Sequence, residues 1–180
     1  WFIDASGRTA LLARTFDLSK IEYGRRKVCI WTHFDCEMEN ALDIEGTRLY
    51  IDNSVDYLRW VWEIPISATN ISVGYVTSAD HFREQRKDGQ SVRQIFSEAL
   101  VKHRRFTPLI AEQPDFQIST CSYRPYVMPR AGGPNWLMVG EAAVLPDPLS
   151  AHGVTSALRH AQIATNFIQK GLKTGSFTRQ

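Results

Sequence analysis

The residues best placed for chemistry lie in a turn near the C-terminal end of the chain. An apolar run at 136–139 indicates a buried strand, and the alanine-rich run 155–161 predicts a helix with small or hydroxyl residues available for its cap. The turn between them is rich in glycine, proline and acids: Gly140, Glu141, Pro146, Asp147, Pro148 and Gly153. The N–H groups of a first helical turn attract anions and dipoles. The turn is therefore a candidate site for such a ligand, and an ordinary strand, turn and helix without one is the alternative.

A second pattern of the same kind opens the chain. The apolar run 1–3 ends in the sequence D-A-S-G, in which Asp4 comes first and Gly7 last. Residues 8–14 then have the composition of one or two helical turns. Residues near both ends of the chain are therefore expected to form an α/β layer.

The middle of the chain is predicted to form an antiparallel sheet. Residues 28–34 are a continuous β-rich run, which favours a strand buried on both sides, and residues 48–51 form a shorter run. The runs 57–66 and 71–76 are joined by a short polar link, as in a β-hairpin. Pro65 inside the first run indicates an edge strand or a bulge.

Two tryptophans stand in this hairpin. Side chains along a strand alternate between its faces, so Trp60, Trp62 and Ile64 are expected to share one face, with the two indoles stacked. A strand with a tryptophan-rich buried face is the simplest structural interpretation.

Helices are predicted on either side of one further strand. Residues 78–105 have a helical pattern with a break near 88–89. Residues 102–105 are basic, as at a solvated helix C-terminus, and a patch for a phosphate or a partner is the alternative. Residues 116–123 alternate as a strand, and 157–172 form an amphipathic helix that glycines end. One apolar helical face is predicted to be buried against the sheet: Ile95, Phe96, Ala99 and Leu100.

The composition is that of a globular protein. The 180 residues are 43% hydrophobic and 22% charged, enough for one substantial core. The net charge of +2 is too weak a bias to indicate a nucleic-acid partner. No apolar run approaches the ~20 residues that cross a bilayer, so no membrane partner is expected.

The spacing of the three cysteines does not indicate a disulfide framework or a metal site. Cys29, Cys36 and Cys121 lack C-x-x-C spacing, and their odd number favours buried thiols over disulfides or a metal site. We therefore expect a reducing, cytoplasmic location and no metal.

Three of these motifs together resemble those of one family. They are D-A-S-G at 4–7, W-x-W-x-I-P at 60–65, and G-E-A-A, D-P and glycine at 140–143, 147–148 and 153. The set is similar to that of flavin-dependent halogenases, the tryptophan halogenases among them, within the FAD-dependent monooxygenase superfamily. The resemblance implies an oxidoreductase with FAD as cofactor. It also implies an α/β (α+β) fold, in which a partial Rossmann-like FAD-binding layer of the GR2 type accompanies an antiparallel substrate-domain sheet with a covering helix.

The same resemblance assigns the cofactor site. Glu141 would bind the ribityl chain, while Asp147 and Pro148 would line the path to the isoalloxazine. The helix N-terminus would face the pyrophosphate and the flavin ring. The implied cofactor-binding residues are Asp4, Gly7, Gly140, Glu141, Asp147, Pro148, Gly153 and Val154.

The implied chemistry acts on an electron-rich small-molecule substrate. Reduced FAD, supplied by a partner flavin reductase, would meet oxygen to form a flavin hydroperoxide, which halide would attack. The catalytic residues would be Trp60 and Trp62, between flavin and substrate chamber, together with His152, which could relay a proton or cover the ring. The halide pocket would lie at His152 and Gly153.

The sequence departs from the family pattern at four positions. Glu141 replaces Asp, and Arg59 replaces the Gly before the first tryptophan. Ser150 and His152 stand where tryptophan halogenases have Glu and Thr. Halide use and substrate therefore stay open. The alternatives are a flavin monooxygenase, hydroxylase or reductase, and a non-catalytic remnant or binding module; for His152 alone, the alternative is a loop histidine satisfied by a backbone carbonyl.

The family's G-x-G-x-x-G and its transfer lysine have no counterpart in the 180 residues. Because the chain begins with Trp1 inside a strand-like run, we expect an N-terminally truncated piece that binds FAD poorly and is inactive by itself. The expected organisation is 1–24 in the FAD-binding domain, 25–126 as substrate-domain sheet and helices, and 127–180 as the FAD-binding strand, turn and C-terminal helix.

Overall fold

The computed structural model describes residues 1–36, 46–54 and 58–175. The chain divides into two units: a terminal unit that combines residues 1–24 and 124–180, and a middle unit of residues 25–123. The predicted α/β class with an antiparallel sheet in the middle of the chain is confirmed. Tyr57, with which the predicted hairpin begins, lies outside the described residues.

The strands of the terminal unit form two small sheets. In the first, two strands from opposite ends of the chain pair in parallel, and a third joins antiparallel: β1 (Phe2–Asp4), β10 (Trp136–Met138) and β9 (Gly132–Gly133). The second sheet is antiparallel, in the order β11 (Val144–Leu145), β8 (Tyr126–Val127), β2 (Ile21–Glu22). Both apolar runs that were predicted as strands next to glycine-containing turns are therefore strands of one sheet.

Helices and 3₁₀ turns follow these strands. The helices of the terminal unit are α1 (Leu11–Thr15) and α5 (Gly153–Thr174), and the 3₁₀ turns cover Gly7–Thr9, Gly140–Ala142 and Pro148–Ser150. The predicted start of α5 near Thr155, with a small or hydroxyl residue as its cap, is wrong. Ala151 takes a left-handed conformation (φ 52°), which turns the chain so that His152 becomes the N-cap and Gly153 the first helical residue. Gly171 lies inside the helix instead of ending it, and Gly175 (φ 67°) terminates it.

Five antiparallel strands form the sheet of the middle unit. Their order across the sheet is β4 (Arg48–Asp52), β5 (Arg59–Ser67), β6 (Asn70–Ser78), β3 (Lys27–Asp35) and β7 (Ser119–Tyr123). The hairpin of β5 and β6 is confirmed, and its register shifts between Pro65 and Ser67. Because β5 is an interior strand, Pro65 marks the bulge and not an edge.

Three helices of the middle unit pack against one face of the sheet. They are α2 (Ala79–Lys87), α3 (Val92–Val101) and α4 (Thr107–Glu112), with the predicted break between the first two. Ser78 caps α2 and a Ser91–Gln94 capping box opens α3. The predicted helical face of α3 is confirmed, since its four apolar residues belong to the core of the unit.

The two faces of this sheet differ. On the core side of β3, Ile30 and Phe34 are fully buried, whereas on the other side Trp31 is half-buried and His33 exposed. The prediction that β3 is buried on both sides is therefore wrong, because the helices of this unit pack on one face. The strand predicted at 116–123 begins only at Ser119, because Phe116 packs instead against Phe34 in the core, with ring centroids 5.2 Å apart.

All three cysteines are thiols, and Cys29 and Cys121 face each other across β3 and β7. Among the helices that the structure describes, none combines the length and the apolar composition needed to cross a membrane.

Candidate functional site

The two glycine-containing turns begin side by side in the terminal unit. β1 and β10 run parallel with Asp4 opposite Met138, and the Val139 N–H donates a hydrogen bond to the Asp4 carbonyl oxygen at 2.9 Å. The turns that leave the carboxyl ends of these two strands, at 4–7 and 140–143, therefore share one edge of the sheet. In open α/β sheets, ligands bind outside the carboxyl ends of the strands.

Asp4 shapes the first turn. It is 2% exposed, and its carboxylate accepts hydrogen bonds from the backbone N–H groups of Ser6 (2.9 Å) and Leu12 (2.8 Å). Burial raises the pKa of Asp4, but hydrogen bonds from the Ser6 side chain and from these two N–H groups outweigh it and hold the pKa below its ordinary value. The Asp4 carboxylate thus joins the turn to the start of α1.

The two turn glycines have different surroundings. Gly7 and Gly140 both take a left-handed conformation, with φ of 63° and 59°. A Cβ on Gly7 would meet open space, whereas a Cβ on Gly140 would lie 3.2 Å from the Cβ of Ala157 in α5. Gly140 therefore allows close packing of the turn on α5, and Gly7 leaves the backbone open to a ligand.

Glu141 offers an acceptor at this edge. Its backbone oxygen accepts a short hydrogen bond from the Tyr126 hydroxyl, at 2.5 Å. Within the described part of the chain, its half-buried carboxylate has no hydrogen-bond or ion-pair partner. Burial, followed by the nearby Glu141 charge, raises the pKa of Tyr126, so this phenol stays a donor. The Glu141 carboxylate is free to accept hydrogen bonds from ligand hydroxyls.

The D-P motif builds the approach to α5. The Asp147 carboxylate accepts from the Leu149 N–H at 3.1 Å, and Pro148 opens the 3₁₀ turn. The Ser150 hydroxyl donates to the Asp147 carbonyl oxygen at 2.9 Å. Together with the left-handed Ala151, these bonds direct the chain into the long helix α5.

The N-terminus of α5 is open. His152 is the N-cap, but its side chain makes no capping hydrogen bond and is exposed. A Cβ on Gly153 would meet open space, and Val154 is 75% exposed. The first-turn N–H groups therefore keep their positive potential for a ligand.

Trp60 and Trp62 lie in the middle unit, on the sheet face opposite the α3 core. Trp60 is 4% exposed and Trp62 half-buried. Their ring centroids are 5.6 Å apart and the rings are tilted by 47°, so the indoles share a face as predicted but are not stacked. This tilted arrangement is one that aromatic pairs favour.

Sequence reasoning missed a buried charge on the core face of β5. Glu63 is fully buried and accepts from the Tyr50 hydroxyl (2.7 Å), the Arg48 guanidinium (3.1 Å) and the Arg105 guanidinium (2.5 Å). The signal was available, because alternation places Glu63 on the same face as the core residue Val61. Arg105, in the basic run 102–105 that was predicted as a solvated helix end, is exposed but also forms an ion pair with Glu63.

Tyr50 provides a prediction about pH. Burial and the hydrogen bond to Glu63 raise its pKa from 10.0 to about 12. Since folding favours the neutral phenol, its contribution to stability is complete below about pH 10 and is lost as the pH rises through about 12. Urea unfolding across this window should therefore show a steeper alkaline loss for the wild-type chain than for Tyr50→Phe. Parallel curves would contradict the prediction.

A small cavity also lies in the middle unit. It measures about 200 Å³ and is lined by residues of β4, β5, β6 and α3, with His103 and Lys102 at the end of that helix. The Asp52–Arg59 ion pair (2.6 Å) forms part of its wall. Of the predicted site residues, Trp60 lines it.

The sequence of the chain is similar to those of several characterised proteins. No family model matches the chain. It is 29% identical over 167 residues to the tryptophan 2-halogenase of Chondromyces crocatus, a match covering 91% of this chain and 31% of that protein. It is 28% identical over 193 residues to a 1H-pyrrole-2-carbonyl-(peptidyl-carrier protein) chlorinase of Pseudomonas fluorescens, covering 98% of this chain and 40% of that protein.

The fold agrees with the sequence matches. The structure of CmlS, a flavin-dependent halogenase, superposes with a TM-score of 0.76 at 24% identity, covering 96% of this chain and 31% of that one. The chain thus spans between 31% and 40% of the length of these three proteins. Over nearly its whole length, the chain is similar in sequence and in fold to the flavin-dependent halogenases.

Proposed function

We propose that the chain forms part of an FAD-dependent oxidoreductase of the halogenase type. The observation that carries the proposal is the side-by-side placement of the D-A-S-G and G-E-A-A turns at the carboxyl ends of parallel β1 and β10. This is the edge at which open α/β sheets bind dinucleotides. The sequence similarity to halogenases supports the same assignment.

The residues at this edge fit FAD. Gly7 and Gly153 leave open space for a ligand to approach the backbone. The uncapped N-terminus of α5 suits a pyrophosphate. The carboxylate of Glu141 suits the hydroxyl groups of a ribityl chain, because it has no partner among the described residues.

Reduced FAD, when bound, would supply the oxygen-activating chemistry. The residues of this chain would position it: Gly7 and Gly153 through their backbone, and Glu141 through its carboxylate. His152 would hold or relay a proton at the N-cap of α5. Trp60 and Trp62 would exclude water from the path to an electron-rich small-molecule substrate, and a separate flavin reductase would supply the electrons.

A second candidate is hydroxylation by a flavin monooxygenase on the same scaffold. Ser150, in the position of the glutamate of tryptophan halogenases, donates its hydroxyl to the Asp147 carbonyl oxygen and so offers no carboxylate. Incubation of the whole enzyme of which the chain is proposed to form part with a flavin reductase, FAD, bromide and electron-rich aromatic substrates separates the two. Halogenation gives a bromide-dependent product mass, whereas hydroxylation gives an oxygen adduct that is independent of bromide.

Cofactor placement has a direct test. The chain holds no G-x-G-x-x-G, so we expect weak FAD binding, best followed by nuclear magnetic resonance of the labelled chain. Added FAD should shift the backbone amides of 140–141 and 153–154, and Glu141→Ala should reduce these shifts. Glu112→Ala, an exposed acid of the middle unit, is the matched control. Shifts confined to other segments would overturn the placement, and micromolar affinity would overturn the expectation of weak binding.

A further inference from the structure

The indole of Trp62 lies directly over Gly74 of the neighbouring strand β6. The two residues are opposite each other in the β5–β6 register. A Cβ built on Gly74 would lie 2.1 Å from Cζ2 of Trp62 and 2.3 Å from Cε2 and Cη2. Atoms cannot approach so closely, and therefore any side chain at position 74 would exclude the ring from its place.

A second contact fixes the same ring. The Nε1–H of Trp62 donates a hydrogen bond to the hydroxyl of Ser72 at 3.2 Å, and Ser72 is 8% exposed. Ser72 and Gly74 are two residues apart on β6 and so share the face on which Trp62 lies. A partly buried hydrogen bond of this kind is worth about 1 kcal/mol and is directional, so it favours one orientation of the indole.

The third neighbour of the ring is Trp60. The ring centroids of Trp60 and Trp62 are 5.6 Å apart and the rings are tilted by 47°. Trp62 therefore contacts Trp60 along its own strand and Ser72 and Gly74 on the neighbouring strand. Trp60 is almost fully buried, whereas Trp62 is half-buried, so the surrounding packing constrains Trp62 less than it constrains Trp60. The orientation of the pair thus depends on what holds Trp62.

We propose that Ser72 and Gly74 are positioning residues that hold the indole of Trp62 against Trp60. Gly74 provides the space in which the ring lies, and Ser72 binds its N–H. The functional meaning rests on the proposed function: if the tryptophan pair separates the flavin from the substrate, these two residues set the shape of that partition. They act through Trp62 and need not touch substrate or cofactor.

The test reads the geometry of the pair without any cofactor. Two indoles at this distance give an exciton couplet in far-ultraviolet circular dichroism, and Trp60→Phe identifies the part of the spectrum that belongs to the pair. Gly74→Ala should remove about half or more of the couplet, because the ring must leave its rotamer. Ser72→Ala should reduce it less. Ser119→Ala, a hydroxyl on the same face at β7, is the control and should leave it unchanged.

An undiminished couplet in folded Gly74→Ala would overturn the proposal. If Gly74→Ala does not fold, the indole N–H resonance of Trp62 in Ser72→Ala decides. A shifted and faster-exchanging resonance supports the positioning role, and an unchanged one refutes it. Since neither readout involves flavin, FAD-induced shifts confined to segments other than 140–141 and 153–154 would overturn the proposed cofactor placement while leaving this result intact.

Discussion

Replacing Glu63 with alanine is expected to lower the free energy of unfolding of the middle unit by about 3 kcal/mol. Glu63 is fully buried, and its removal leaves the Tyr50 hydroxyl without its acceptor and the guanidiniums of Arg48 and Arg105 without their shared counter-charge. Both arginines are more than a third exposed and can partly rehydrate, which keeps the loss below that of a fully buried pair. Urea unfolding followed by circular dichroism gives the measurement.

Glu63→Gln separates charge from shape. It keeps the volume and one acceptor oxygen, so its cost should fall between those of wild type and Glu63→Ala. Glu112→Ala removes an exposed carboxylate from α4 of the same unit and should change the midpoint little. If Glu63→Ala and Glu112→Ala unfold at the same denaturant concentration, the network contributes nothing to stability.

Replacing Gly140 with alanine is expected to destabilise the terminal unit by about 2–3 kcal/mol. Two costs add: the left-handed conformation at φ 59°, and a Cβ placed 3.2 Å from the Cβ of Ala157. Either Ala157 and α5 move away by a few tenths of an ångström or the turn changes its conformation. Hydrogen exchange at the amides of 136–139 reports the loss.

Gly7→Ala is the matched control for this variant. It carries the same backbone cost, at φ 63°, but its Cβ meets open space, so its loss should be about 1–2 kcal/mol. The difference between the two variants measures the steric contact with α5 alone. Equal losses would show that Gly140 is required only for its backbone conformation.

Local patterns predicted much of the middle unit. Alternation placed Trp60 and Trp62 on one face, and helical spacing identified the buried face of α3. The break between α2 and α3 followed from Asp88 and Gly89. These features depend on the periods of strand and helix, which are properties of a few consecutive residues.

The start of α5 could not be predicted in this way. Thr155 and Ser156 are better capping residues than His152, but a left-handed Ala151 turned the chain two residues earlier. Similarly, Phe116 alternates with its neighbours as a strand residue does, yet it packs against Phe34 and Phe96 in the core. In both places a tertiary contact or an unusual backbone conformation outweighed local preference.

The sequence by itself determined the elements and the motifs of this protein: the two strand and turn patterns at its ends, the tryptophan strand, and the covering helix. Only the tertiary structure brought Asp4 next to Val139 and Arg105 next to Glu63, and laid Trp62 over Gly74. The physical reason is the sequence separation of the residues that interact. Periodicity arises from neighbouring residues, whereas strand pairing, buried ion pairs and ring packing join residues that are far apart in the chain and meet only when burial of apolar surface brings the elements together.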